Sequence, residues 1–300
     1  MRRLLTVGLV PCWLFIGCFW SLARAGSFTG QSDWARAVPV GPGATIGTLV
    51  ALTGCAWLLA VLLQPFQVRA VRVLEGYWDR WPATAQLAGF LVEMQRRRQL
   101  ALRDKASRPG AASADALRRL ASRPPVEVLL PTELGNALRA GEISAGERYG
   151  LTTLSSWPRI YMQVSDRLSR SLSSTRDALD TAVNLCWSFL ALAAVLAAGL
   201  YDEAGVRWLP LPALVFAAVA YKGAVTAAQA YSGLMQVVFD LHRFDLLEAL
   251  HHRLPSEREQ EQEVFGKVSK LLAGLRVPDL PYEHGRQVSH PRDADGSAET

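Results

Sequence analysis

The chain has 300 residues, of which 50% are hydrophobic and 20% are charged, and its formal net charge is +5. This composition excludes a disordered chain, a collagen-like fibre and a small disulfide-stabilised domain. The mean hydropathy is +0.12, and the apolar residues are concentrated in long charge-free runs, which favours a membrane protein with a sizeable polar part.

Four apolar runs are long enough to cross a bilayer, which takes about 20 residues as a helix. The sequence therefore predicts an all-α membrane protein with four transmembrane helices. A helical cytoplasmic segment is predicted between the second and third spans, and a helical cytoplasmic tail after the fourth.

The first apolar run has two interpretations. Arg2 and Arg3 precede it, and Ala23-Arg24-Ala25 at its end has the small-x-small pattern of a signal-peptide cleavage site. The run exceeds the length of about 7–15 residues that is usual for a signal peptide. We therefore expect a retained membrane anchor, with a cleaved signal peptide as the alternative.

Basic residues predict the orientation of the spans. Only Arg24 and Arg36 lie between the first and second apolar runs and only Arg207 between the third and fourth, whereas residues 65–182 carry 18 arginines and lysines. Because basic residues accumulate on the cytoplasmic side, both termini and the central segment are predicted to be cytoplasmic.

The predicted division is an anchor or signal peptide at 1–25, an outer loop at 26–43, a transmembrane helix at 44–64, a cytoplasmic helical domain at 65–181, a transmembrane helix at 182–200, an outer loop at 201–208, a transmembrane helix at 209–230, cytoplasmic helices at 231–280 and a disordered tail at 281–300.

An amphipathic helix is predicted directly after the second span. Val68, Val71, Leu74, Trp78 and Trp81 recur every three or four residues and form one apolar stripe with arginines beside it. Such a helix can lie in the headgroup layer, with its arginines near anionic lipid; the alternative is packing of the same stripe on the rest of the domain. The candidate contacts for lipid or a partner are Arg69, Arg72, Trp78, Arg80 and Trp81.

Helix breakers and caps divide the rest of the central segment. Residues 105–125 contain Pro and Gly and predict a flexible linker. Thr132 is predicted to cap a helix, with Glu133 near its positive end. Pro158 predicts a break, and the apolar stripe from Val164 onward predicts one long helix that runs into the third span.

The last two spans carry small residues and one charge. Alanines spaced four apart lie on one face of the fourth span and predict a tight hairpin with the third. Lys222 is the one ionisable residue within a predicted span and is therefore the candidate intramembrane polar site. It lies toward the cytoplasmic end, where a lysine can snorkel to the interface, and the spans contain no acid as its partner.

The helical pattern continues beyond the fourth span. Ser256 and Glu259 fit a capping box that begins an amphipathic helix. His242, His251 and His252 lack an accompanying set of carboxylates, and adjacent histidines point in different directions on a helix, so we expect no metal site.

Motifs for the commoner chemistries are missing from the sequence, which has no phosphate-binding glycine loop, dinucleotide fingerprint, nucleophile elbow or zinc-protease helix. The run Arg96-Arg97-Arg98 is short and lacks interleaved aromatics, which favours a solvated or lipid-facing surface over nucleic acid. We expect no enzyme, no cofactor and no nucleic-acid partner. A membrane enzyme would need one cleft that brings together Glu75, Asp79, Glu133, Asn136 and His242.

Five strings of residues stand out at Val73–Trp78, Pro131–Arg139, Glu147–Leu151, Trp157–Arg159 and Phe239–Phe244. Together they resemble a group of uncharacterised integral membrane proteins of actinobacteria, over most of the chain from about residue 44. The group carries no activity, so the resemblance implies no catalytic residue.

These features predict a non-enzymatic scaffold or interaction protein whose cytoplasmic helical domain binds a protein partner or anionic lipid. The alternative is an accessory or regulatory subunit of a transport or signalling complex, with Lys222 and the small-residue hairpin as its contact surface. Membrane lipid is an expected partner, and a second copy of the chain is another candidate.

Overall fold

A computed structural model describes residues 4–78, 82–277 and 280–283, with the backbone alone at 4–6. All helices and turns named here lie in those ranges, and no strand occurs in them. After a π-helical turn at Leu4–Leu9, the α-helices are α1 (Val10–Ala25), α2 (Trp34–Ala37), α3 (Pro42–Leu63), α4 (Gln67–Glu75), α5 (Pro82–Ser107), α6 (Ala111–Ala121), α7 (Glu133–Ala145), α8 (Thr153–Tyr161), α9 (Asp166–Gly199), α10 (Pro210–Ala249) and α11 (Arg258–Leu272). Short 3₁₀ turns lie at Gln64–Phe66, Val126–Val128 and Glu147–Tyr149.

Four helical segments in the described part of the chain are long and apolar enough to cross a membrane: Val7–Ala25, Pro42–Glu75, Asp166–Gly199 and Pro210–Ala249. A helix rises about 1.5 Å per residue, so the 34 residues of α9 and the 40 residues of α10 exceed the roughly 30 Å of a bilayer's hydrocarbon core. The predictions of an all-α chain with four apolar helices, of a long helix into the third apolar segment and of a helix continuing past the fourth are confirmed.

The chain divides into two compact units. The first unit comprises Met1–Ile143 and Asp166–Met235, and the second comprises Ser144–Ser165 and Gln236–Thr300. The first unit therefore contains α1 to α6, α9 and the larger parts of α7 and α10, whereas α8 and α11 belong to the second.

Helix α1 is an integral part of the first unit. Cys12 forms a buried cluster with Ala56 and Ala60 of α3. The side-chain amide of Asn184, on α9, donates a hydrogen bond of 2.9 Å to the carbonyl of Val7. The first apolar helix therefore contacts both the second and the third.

Hydrogen bonds join the loop after α1 to the loop between α9 and α10. The carboxylate of Glu203 accepts hydrogen bonds from the backbone N–H of Ser32, at 2.7 Å, and from the Ser32 hydroxyl. Gly26 ends α1 with a φ of 79°, a left-handed conformation that favours glycine and that turns the chain back at the helix end. The two predicted outer loops therefore lie together.

A second buried cluster joins α7, α9 and α10. Ala224 and Ala228 of α10 are fully buried there, together with Val183 of α9 and Leu134 of α7. A Cβ at Gly223 would lie 3.9 Å from the Cβ of Ala182, within ordinary contact distance. Small residues thus let α10 approach α9 closely, and the predicted hairpin is confirmed.

The flexible linker predicted at 105–125 is wrong, because α6 forms within it. Ala116 is buried, and α6 packs along α5. Pro109-Gly110 and Pro124-Pro125 flank the helix, whereas the residues between are mainly Ala, Leu and Arg, which are strong helix formers.

The second unit has a core of its own, in which Phe239 and Phe265 are fully buried. Gly150 has a φ of 84°, and a Cβ there would lie only 2.8 Å from the carbonyl oxygen of Gln262. The hydroxyl of Ser269 donates a hydrogen bond of 3.0 Å to the Gly150 carbonyl. A glycine is therefore required where the turn before α8 meets α11.

Candidate lipid-contact surface and polar cavity

One side of α4 is fixed to the rest of the first unit. Val71 and Leu74 pack against the buried cluster of α7, α9 and α10. The indole N–H of Trp187, on α9, donates a hydrogen bond of 3.2 Å to the carbonyl of Ala70. These contacts determine which side of α4 remains exposed.

The exposed side of α4 and the turn before it carry two arginines among apolar side chains. Phe66, Val68 and Val73 are 51%, 57% and 44% exposed, and Arg69 and Arg72 are exposed as well. The guanidinium carbon of Arg69 lies 5.8 Å from the centroid of the Phe66 ring. We call these five residues the α4 arginine surface.

The apolar stripe predicted along this helix divides between its two sides. Val71 and Leu74 are partly buried in packing contacts, as one interpretation required, whereas Val68 faces outward beside the arginines. Helix α4 thus has both a packed side and an exposed amphipathic side. Its apolar residues lie on more than one side of the helix, so packing against the first unit buries only some of them.

Trp78 stabilises the end of α4. It is partly buried, and its indole N–H donates a hydrogen bond of 2.7 Å to the carbonyl of Val73. The other two candidate contacts, Arg80 and Trp81, lie outside the described residues.

Lys222 has an ionic partner in the first turn of α7. Its ammonium group pairs with the Glu133 carboxylate, and the Arg98 guanidinium lies 3.8 Å from the other carboxylate oxygen of Glu133. The backbone N–H of Leu134 donates a hydrogen bond of 3.1 Å to the hydroxyl of Tyr221. Two consecutive residues of α10 therefore hold the start of α7.

A polar cavity of about 90 Å³ lies beside this ion pair, where α5, α7 and α10 meet the segment after α6. Its lining consists mainly of polar side chains: Gln95, Ser122, Arg123, Glu133, Asn136, Ala137, Val225 and Gln229. We call this space the Glu133 cavity.

The polar groups of the Glu133 cavity differ in how they are satisfied. The Asn136 side chain accepts a hydrogen bond of 2.7 Å from the backbone N–H of Leu130 and donates one of 2.9 Å to its carbonyl. Gln95 is only 4% exposed, yet its Oε1 accepts no hydrogen bond from any described residue. Burial lowers the pKa of the Arg123 guanidinium, against the opposing effect of nearby Glu133.

The residues that a membrane enzyme would need are not assembled into one described cleft. Glu133 and Asn136 line the Glu133 cavity, whereas Glu75 does not. Asp79 lies outside the described residues. His242 belongs to the second unit, where its Nδ1 lies 2.7 Å from a carboxylate oxygen of Asp245. Among the described residues, no group of three His, Cys, Asp or Glu could hold a metal ion.

The second unit contains a polar cluster that the sequence patterns did not identify. The Arg243 guanidinium lies over the rings of Tyr149 and Phe244, at 4.4 and 4.3 Å, and its Nε donates to the Glu261 carboxylate at 2.7 Å. The Tyr149 hydroxyl donates a hydrogen bond of 2.8 Å to Asp240. An open cavity of about 440 Å³ adjoins Arg243, but this arginine is already paired, so the cluster stabilises the unit.

Comparisons with protein-family models, curated proteins and solved structures found no match for this chain. The resemblance to actinobacterial membrane proteins remains a prediction based on the five strings.

Proposed function

We propose that the chain is a multi-pass integral membrane protein, without catalytic activity, that binds anionic lipid through the α4 arginine surface. In this proposal the segment 65–181 and both termini are cytoplasmic, and the domain acts as a scaffold at the inner membrane surface. The observation that carries the proposal is the exposure of Arg69 and Arg72 among apolar side chains, immediately after the apolar helix α3.

The chemistry of this surface suits a headgroup layer. Exposed apolar side chains gain free energy by entering the boundary between headgroups and acyl chains, and arginines beside them attract lipid phosphates. Each arginine near an anionic membrane contributes about 1 kcal/mol. The stacking of Arg69 on Phe66 keeps the charge and the apolar ring at the same place on the surface.

The test uses the purified full-length protein in non-ionic detergent, with phosphatidylglycerol titrated against phosphatidylcholine. We expect phosphatidylglycerol to raise the unfolding temperature, and the double variant R69Q/R72Q to bind it more weakly by about 2 kcal/mol, or roughly 30-fold. The effect should shrink with added salt, because salt screens exposed charges.

The matched control is R253Q/R258Q, which removes the same charge from two exposed residues of the second unit. It should respond to phosphatidylglycerol as the unchanged protein does. Equal weakening in both double variants would mean that only net charge matters, and the α4 arginine surface would lose its assigned role.

The alternative, an accessory subunit of a transport or signalling complex, would need a different contact surface from the one first predicted. Ala213, Ala217, Ala224 and Ala228 are all buried within the chain's own fold, and Lys222 is paired with Glu133. Stoichiometric co-purification of a transporter or kinase would favour this alternative.

A further inference from the structure

We propose that the Glu133 cavity binds a phosphate group esterified to a polyol with free hydroxyls, such as the glycerol phosphate headgroup of phosphatidylglycerol. This inference extends the proposed function, since it adds a specific headgroup site to a general lipid-contact surface. It is argued from the cavity's own donors, acceptors and charges.

The acceptor in the cavity requires a donor from the ligand. Gln95 Oε1 is buried and accepts no hydrogen bond from the described part of the chain, and a buried acceptor without a partner is unfavourable. A hydroxyl group satisfies it, whereas the oxygens of an ionised phosphate do not, because they only accept.

The charges around the cavity favour an anion. Three cationic side chains, Arg98, Arg123 and Lys222, lie around a single carboxylate, that of Glu133. Arg123 is partly buried and forms no ion pair with a described residue, so its desolvation is compensated only by Glu133 at longer range. A phosphate beside Arg123 would provide the missing charge-assisted hydrogen bonds.

The combination of these two requirements narrows the ligand class. An ammonium-bearing headgroup could donate to Gln95 but would be repelled by the excess positive charge, and a phosphomonoester, which is mainly the fully ionised dianion at pH 7, would leave Gln95 unpaired. The cavity's volume of about 90 Å³ is several times the roughly 10–15 Å³ that one water requires, so the cavity has room for a small polar group larger than a water.

The site lies next to surfaces suited to lipid. Val225 and Gln229 of its lining belong to α10, three and seven residues after Lys222. Helix α10 is one of the helices long and apolar enough to cross a membrane. A ligand in the cavity would therefore lie against an apolar, potentially membrane-spanning helix, which favours a lipid over a soluble polyol phosphate.

The experiment measures binding of phosphatidylglycerol, phosphatidic acid and free glycerol 3-phosphate to the full-length protein in non-ionic detergent by native mass spectrometry. In the unchanged protein, phosphatidylglycerol should bind more tightly than phosphatidic acid, although a phosphomonoester carries more negative charge at pH 7. This preference cannot arise from charge alone, and it requires no variant to fold.

Three variants assign the contacts. R123Q should weaken phosphatidylglycerol binding about tenfold or more, the usual effect of losing a charge-assisted hydrogen bond. Q95L should remove the preference over phosphatidic acid. The control R118Q changes an exposed arginine of α6 outside the lining and should leave binding unchanged.

Two further comparisons complete the test: a soluble ligand against a lipid, and R123Q alone against R123Q combined with R69Q/R72Q. Binding of free glycerol 3-phosphate that is lost in R123Q would assign the site to a soluble ligand of the same chemistry, whereas lipid binding without it assigns the site to a headgroup. Repeating R123Q in the R69Q/R72Q background separates this site from the α4 arginine surface. No preference for phosphatidylglycerol in the unchanged protein, or equal effects of R123Q and R118Q, would show that the cavity holds only water and would overturn the proposal.

Discussion

At the scale of single residues, the ion pair of Lys222 changes how this lysine is interpreted. The sequence suggests that Lys222 snorkels to the interface because the spans contain no acid. Glu133 supplies that acid from a position 89 residues away, in the first turn of α7, where the positive end of the helix favours a carboxylate. Local spacing cannot predict such a pair.

We expect Lys222 and Glu133 to be energetically coupled. The side chains are 65% and 26% exposed, so solvent screening limits the interaction to about 0.5–1 kcal/mol. The measurement is a double-mutant cycle of unfolding free energy with K222M, E133Q and both together. Strictly additive effects would mean that the lysine instead extends to the interface without a partner.

The helix caps were predictable to within one residue. Thr132 behaves as expected, since its hydroxyl oxygen accepts a hydrogen bond of 3.0 Å from the backbone N–H of Gly135. The capping box at Ser256 and Glu259 is wrong by one position. The Ser256 hydroxyl and backbone N–H both donate to the side chain of Gln260, and α11 begins at Arg258. Neighbouring Glu and Gln side chains offer similar acceptors, so the sequence alone does not choose between them.

At the scale of whole elements, α8 shows that a proline can lie inside a helix without ending it. Pro158 was predicted to interrupt the chain, yet it lies inside the nine residues of α8. Proline removes the hydrogen bond to the carbonyl four residues earlier, which here belongs to Leu154 in the first helical turn. Leu154 is exposed, so water can satisfy that carbonyl.

We predict that residues of α1 are retained in the mature protein. Cleavage after Ala25 would remove Cys12 from its cluster with Ala56 and Ala60 and would break the Asn184–Val7 hydrogen bond. The measurement is N-terminal sequencing, or the intact mass, of the protein purified from membranes. A mature chain that begins at Gly26 would contradict the prediction.

At the scale of the whole molecule, topology is the feature that the sequence predicts and that labelling can test. In a chain whose four natural cysteines are replaced by serine, we expect Q31C and G205C to react with a membrane-impermeant thiol reagent in intact cells. S107C should react only after permeabilisation, since the basic excess of residues 65–182 is predicted to be cytoplasmic. All three positions are exposed. Reaction of S107C in intact cells would reverse the assigned orientation.

The types of the secondary-structure elements were largely predictable, because apolar runs and helical periodicity depend on local sequence. The candidate site was only partly predictable. Arg69 and Arg72 could be named from the sequence, but the Glu133 cavity depends on contacts between α5, α7 and α10. Four of the five strings that carry the resemblance meet in two pairs. Thr132 donates a hydrogen bond of 2.8 Å to the carbonyl of Glu75, and the rings of Trp157 and Phe239 stack at 6.1 Å. These four residues therefore join one string to another.

The hydrogen bond between Asn184 and Val7 joins residues 177 positions apart, and this separation has a consequence for biosynthesis. Translation proceeds at about 5–20 residues per second, so the synthesis of Asn184 follows that of Val7 by roughly 10–35 s. During that interval α1 can associate with α3, whose cluster residues follow Cys12 closely in the chain, but not with α9. We therefore expect a two-helix intermediate that waits in the membrane for the third apolar helix before the first unit is complete.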